Sequence, residues 1–128
     1  MTKLTASPDC GNAPKKAFLR DFNVAFARAD IPTLLAAVTD DFRWEMVGDK
    51  VLSGKDAFAA GLEEMKQHTA SELDIHQIVT HGREAAVSGT MLMRDGKRFA
   101  FGDFYTFRGA KGDRIAALRS YVVDITES

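Results

Sequence analysis

After Thr69 the hydrophobic period of the chain changes from helical to alternating, and this constrains the fold more than any other feature. Leu73, Ile75 and Val79 alternate with Asp74, His76 and Thr80, the spacing of a half-buried strand. His81-Gly82-Arg83 marks a turn, and Ala85–Arg94 reads as a second strand. Asp95-Gly96 is the strongest short hairpin signal present. Lys97–Arg108 follows as a third strand, Gly109–Asp113 as a looser turn, and Arg114–Ile125 as a fourth strand. Three turns joining four consecutive strands predict an antiparallel meander. These strands run about 9–12 residues against a usual ~5–6. A sheet of such strands twists and coils, so one face becomes concave.

The preceding residues follow a helical period. Met1–Asn12 has no periodicity and is expected to be a flexible lead-in, giving residues 1–13 as an N-terminal segment and 14–128 as one domain. Asn12 suits an N-cap and Pro14 a first helical turn. Phe18, Leu19, Phe22, Phe26 and Ala29 then form one aromatic stripe, the obvious lid for a concave sheet. Asp30 and Pro32 open a short second helix through Ile31, Leu34, Leu35 and Val38, with Asp40-Asp41 in the turn that follows. Phe42–Val47 reads as a strand, and Val51-Leu52 as its brief return. Ser53-Gly54-Lys55-Asp56 resembles a capping box for a third helix, which carries Phe58, Leu62 and Met65 on one face and ends near His68. Helices first and strands last is α+β patterning.

Charge and cysteine content exclude several functions. Lys plus Arg number 17 and Asp plus Glu 18, a net charge of -1. No nucleic-acid partner is expected, because that grip needs a basic excess or stripe. No membrane association is expected either: there is no polybasic cluster, no signal-type apolar run and nothing near the ~18 apolar residues of a span. Cys10 is the single cysteine, so an internal disulfide and a cysteine metal site are excluded, and a reducing cytoplasm is the simplest address. His68, His76 and His81 lack metal-ligand spacing, and no dinucleotide, phosphate-loop or nucleophile-elbow motif occurs. The expectation is therefore a protein without metal or cofactor.

Asp103 stands out. Alternation places it on one strand face with Phe99, Phe101, Tyr105 and Phe107, leaving Arg98, Ala100, Gly102, Phe104 and Thr106 on the other. A carboxylate among four aromatics is costly unless paired, hydrogen-bonded or protonated. Desolvation raises its pKa toward the range useful for proton transfer. The bland alternative is an ion pair with Arg119. Glu45 is either a second pocket carboxylate or the solvated side of a strand whose apolar face is Phe42, Trp44 and Met46.

The run Asp40-Asp41-Phe42-Arg43-Trp44-Glu45, Gly48, Ser53-Gly54-Lys55, Asp103-Phe104-Tyr105-Thr106-Phe107 and Asp113-Arg114-Ile115 through Tyr121 resembles the nuclear transport factor 2-like superfamily, in particular its SnoaL-like polyketide cyclase and ketosteroid isomerase branches. The resemblance spans about residues 14–125. It implies a cone-shaped, cystatin-like α+β fold, with three N-terminal helices packed on a strongly curved, mainly antiparallel sheet around one apolar pocket, commonly as a homodimer. In ketosteroid isomerases a protonated late-strand Asp donates to the substrate oxygen, and Asp103 falls there. The helix tyrosine of that branch falls on Phe22, and its general base on Met46 or Glu45. The arginine of epoxide-hydrolase relatives falls on Phe101. The cyclase branch asks only for one late-strand acid/base, which Asp103 supplies.

Two functions follow as expectations. One is a cofactor-free cyclase, isomerase or lyase acting on a small apolar molecule, with Asp103 moving a proton. In it Phe22, Trp44, Met46, Phe101 and Tyr105 shape the pocket and Tyr121 donates a hydrogen bond. The other is a non-catalytic ligand-binding or protein-association module of the same fold, in which Asp103 is merely paired. A homodimer is expected through an outer sheet face carrying Ala86, Leu92, Phe104, Leu118 and Val122.

Overall fold

The computed structural model of the protein describes residues 2–6, 14–109 and 113–127. The described residues form β1 (Lys3–Ala6), α1 (Pro14–Arg28), α2 (Ile31–Ala36), β2 (Val38–Met46), β3 (Lys50–Ser53), α3 (Lys55–Met65), β4 (Ala70–His81), β5 (Glu84–Met93), β6 (Arg98–Phe107) and β7 (Ile115–Asp124). All seven strands belong to one curled sheet in the order β1-β4-β5-β6-β7-β2-β3. The four long strands pair antiparallel in sequence order, as the alternation predicts. β2 joins β7 in parallel, and β3 turns back on β2. The architecture is α+β with three helices, but β1 precedes them and the β2–β3 hairpin lies between α2 and α3.

Several local expectations need correction. Within the lead-in, Lys3–Ala6 is not irregular: it pairs in parallel with Glu72–Ile75, and buried Thr2 donates its hydroxyl to the Ala70 carbonyl at 2.8 Å. Asn12 lies outside the described residues. Val38 starts β2 instead of ending α2, and Asp40-Asp41 lies inside that strand, where the pairing with β7 shifts register between Val38 and Arg43. Local helical spacing at Val38 is overridden by a backbone bond from Ile115 N–H to the Ala37 carbonyl. Asp30 does cap α2, its carboxylate accepting from the Thr33 amide at 3.4 Å and the Thr33 hydroxyl at 2.7 Å. The capping box before α3 does not form: Gly54 is the N-cap, with φ 92°, and no side chain caps it. That helix ends at Met65.

Helix α1 covers the concave face. Phe18 meets Phe107, Phe22 meets Tyr105, and Phe26 meets Trp44, with ring centroids 5.8, 6.0 and 5.1 Å apart and edge-on geometry. Phe58 of α3 completes the cluster against Phe42 and Trp44. Each such ring contributes about 1.5–3 kcal/mol by burial, so α1 is held by its stripe and not by intrinsic helix stability.

Gly89 marks where the sheet bends. The β4–β5 pairing shifts register between Ile75 and Gln77, and Ile75 stands opposite Gly89. A methyl group on Gly89 would lie 2.2 Å from the Asp74 carbonyl oxygen and 3.0 Å from the Phe101 ring. The first of these is backbone, so the strands would have to separate. Gly89→Ala is therefore expected to destabilise the fold by about 1–3 kcal/mol in urea unfolding. Gly102→Ala, where nothing lies within 4 Å, should stay within about 0.5 kcal/mol of wild type.

Candidate functional site

Paired residues in neighbouring strands share a face, so the register defines rows across the sheet. One row of the inner face runs Ala85, Tyr105, Leu118 and Trp44, all buried. The next holds Val87, Asp103, Ser120 and Met46. Beyond it Phe101 stands between Gly89 and Val122, and Phe99 between Met91 and Asp124. Phe101 is buried, Phe99 and Met91 are half-buried, and Val122 is 55 % exposed. Asp103 thus sits where the sealed core gives way to the open end of the inner face.

Its carboxyl is held by hydroxyls. The Tyr105 hydroxyl donates to Asp103 Oδ2 at 3.4 Å, and Ser120 stands directly across on β7, where its hydroxyl favours the ionised carboxyl. Behind these, Asn23 Nδ2 donates to Tyr105 Oη at 3.0 Å and to the Leu19 carbonyl at 2.9 Å. Trp44 Nε1 donates to Ser120 Oγ at 2.9 Å. Asp103 is half-buried as a residue, yet its carboxyl is largely withdrawn from water. Burial pushes its pKa up to about 6, against the opposing pull of the Ser120 and Tyr105 hydrogen bonds. Burial, and then the neighbouring Asp103 charge, push the Tyr105 phenol well above its ordinary range.

Asp103, Phe22, Trp44, Met46, Phe101 and Tyr105 come together on the inner face. Phe22, Trp44, Phe101 and Tyr105 are core residues that fill the space between α1 and the sheet, and Met46 is half-buried at its margin. Glu45 and Tyr121 do not join them. Glu45 pairs in register with Arg119 on the outer face, and bridges Arg119 at 3.5 Å and Arg43 at 3.6 Å. Arg119 is therefore committed to Glu45 and not to Asp103. Tyr121 stands beside Gly102 on the outer face, its ring edge-on to Phe104 at 5.9 Å. Among the described ion pairs none includes Asp103. No three His, Cys, Asp or Glu side chains come together as a metal site among the described residues.

Two contributors escaped the sequence analysis, Asn23 and Ser120, which are 6 % and 5 % exposed. Asn23 carries a legible signal, since it lies four residues after Leu19 on the apolar stripe. Ser120 carries a weaker one, the small polar residue between Leu118 and Val122 on alternating positions. On the outer face, a groove of about 420 Å³ is lined by Arg43, Glu45, Val79, Phe104 and Arg119 among others.

No helix among the described residues is long and apolar enough to cross a membrane. The sequence profile of the SnoaL-like domain matches residues 19–118. A search of curated proteins finds no match. Among solved structures, an epoxide hydrolase of the LEH-like type from Mycobacterium tuberculosis superposes with a TM-score of 0.71 at 23% identity, over 84% of this chain and 76% of that one. A candidate SnoaL-like polyketide cyclase from Shewanella denitrificans gives 0.72 at 13% identity, over 87% and 92%. A candidate ketosteroid isomerase from Kribbella flavida gives 0.69 at 16%, over 85% and 77%. The sequence profile assigns what the sheet order and the helix-covered inner face suggest: this chain belongs to the SnoaL-like domain family.

Proposed function

We propose that the protein binds a small apolar molecule at the open end of its inner face and performs proton-transfer chemistry there without a cofactor, as a cyclase, isomerase or lyase. The observation that carries this reading is Asp103: a carboxyl raised toward neutrality, bonded by the Tyr105 hydroxyl and faced by Ser120, with no described cation paired to it. A group titrating near the working pH is suited to both taking and returning a proton. The half-buried Met46, Met91 and Phe99, with exposed Val122, supply the apolar approach. The solved neighbours described as a cyclase, an isomerase and an epoxide hydrolase support the family setting. The single cysteine fits a reducing cytoplasm.

A second reading has its own support. Aromatic side chains fill the space under α1, and Phe22 brings no hydroxyl, so a non-catalytic ligand-binding or association module is the alternative. Incubation with a panel of apolar ketones and β-keto esters in D₂O separates the two. Wild type should exchange α-protons at least about 100-fold faster than Asp103→Asn, read by mass spectrometry, while Glu45→Gln stays close to wild type. Binding of the panel without any exchange supports the module.

The raised pKa also has a stability consequence. A carboxyl whose folded-state pKa lies at about 6 instead of 3.8 stabilises the fold fully below pH ~3.8, and that contribution is lost as pH rises through ~6. Its ceiling is about 3 kcal/mol, reduced to about 1–2 by solvent at the half-buried residue. Asp103→Asn should therefore match wild type at pH 4.5 and equal or slightly exceed it at pH 7 in urea unfolding. A variant several kcal/mol weaker at pH 7 would make Asp103 a structural partner.

A homodimer is proposed through the outer sheet face. Val79, Ala86 and Phe104 lie in one row, with Tyr121 edge-on to Phe104 and Val123 further along. Phe104, Val79 and Val123 are 54, 49 and 60 % exposed. Leu118 and Val122, expected on this face, are on the inner one, opposite Tyr105 and Phe101. Sedimentation equilibrium at micromolar concentration should give twice the 14.0 kDa chain mass, and Phe104→Glu should halve it. A wild-type mass of one chain would end this proposal.

A further inference from the structure

The hydrogen-bond chain around Asp103 ends on two groups whose polarity cannot reverse. On the α1 side the Leu19 carbonyl is an acceptor only. It therefore requires the Asn23 amide to present its NH₂, since the flipped amide would set oxygen against oxygen at 2.9 Å. The remaining Nδ2 hydrogen points at Tyr105 Oη. That oxygen already accepts, and its own hydrogen is directed to Asp103 Oδ2. On the β2 side the Trp44 indole N–H is a donor only. Ser120 Oγ accepts from it, which leaves the serine hydrogen free to face Asp103, its partner across the β6–β7 pairing.

We infer that Asn23 and Trp44 are positioning residues that lock the Tyr105 and Ser120 hydroxyls as donors to Asp103, so that Asp103 meets a ligand as a proton acceptor and not as a hydrogen-bond donor. This deepens the proposed proton-transfer reading and rests on it for its chemical use. On the proton-transfer reading above, Asp103 takes the proton from a C–H beside a carbonyl. In the first step the C–H bond breaks and an O–H bond forms on Asp103. The electron pair passes into the carbonyl as an enolate, and the same proton later returns to product. The titratable group in contact with Asp103 is Tyr105, whose phenol is held protonated by burial and by the Asp103 charge; Val87 on β5 and Ser120 on β7 stand opposite and carry no charge.

The test follows the Asp103 carboxyl by ¹³C NMR titration, which needs no turnover. Tyr105→Phe and Ser120→Ala each remove a donor and should raise the Asp103 midpoint by about half a unit to one unit. The decisive variants do not bond Asp103. Asn23→Leu removes the donor to Tyr105 Oη without adding a charge, so that the hydroxyl is free to turn away. Trp44→Phe keeps an aromatic ring but removes the indole N–H, freeing Ser120 to rotate. Each should raise the midpoint by about half a unit. If Asn23→Leu fails to fold, Trp44→Phe decides alone. A folded Trp44→Phe with a wild-type Asp103 midpoint overturns the inference, even where deuterium exchange by the wild type is intact. A raised midpoint without wild-type exchange upholds the positioning and removes the catalytic reading instead.

Discussion

Helix α1 lies on the inner face of β6 through its aromatic stripe, and most of what distinguishes this molecule depends on that contact. Phe18, Phe22 and Phe26 meet Phe107, Tyr105 and Trp44 in turn, which ties the helix to three positions spread over β6 and β2. The side-chain period of a strand is two, so a slip of one residue in β6 would turn Asp103 to the outer face and Phe104 inward. The buried rings make that slip costly. They also exclude water from one side of the Asp103 carboxyl, which is why its pKa rises.

The same contact brings a polar residue into the core at the point where it is useful. Asn23 enters beside Phe22, and its amide is satisfied at once by Leu19 and Tyr105. A buried amide left without partners would cost about 1–3 kcal/mol, so this position tolerates Asn only because Tyr105 projects its hydroxyl from the strand below. Trp44 is matched in the same way by Ser120. No buried side-chain nitrogen or oxygen among the described residues lacks a partner. The network is therefore complete without a ligand. Asp103 is the member from which it can be extended, because only its row adjoins the more open end of the face.

Much of this architecture was legible in the residues themselves. The four long strands, their hairpins, the aromatic helix and the face on which Asp103 lies follow from period and turn chemistry alone. The errors have a common origin. Leu118 and Val122 lie inward and Tyr121 outward, opposite to the expected phase of β7, because the β6–β7 pairing shifts register between Thr106 and Phe107. Val38 has the local spacing of a helix, but its backbone pairs with Ile115 of the neighbouring strand. Lys3–Ala6 is too short to show a period, and only its pairing with β4 makes it a strand.

Local chemistry in the sequence was enough to determine the three helices, the four long strands with their hairpins, and which residues share a face within one strand. These depend on neighbours a few positions apart, through backbone sterics and hydrophobic period. Partnership across the sheet was settled by tertiary structure. Arg119 belongs to Glu45 and not to Asp103 because the parallel register of β2 on β7 sets them side by side on the outer face. Asn23 finds Tyr105 across 82 positions of sequence, and no local preference encodes that meeting. The register between distant segments is chosen by the packing of whole faces, so the identity of each buried polar partner becomes defined only when the fold closes.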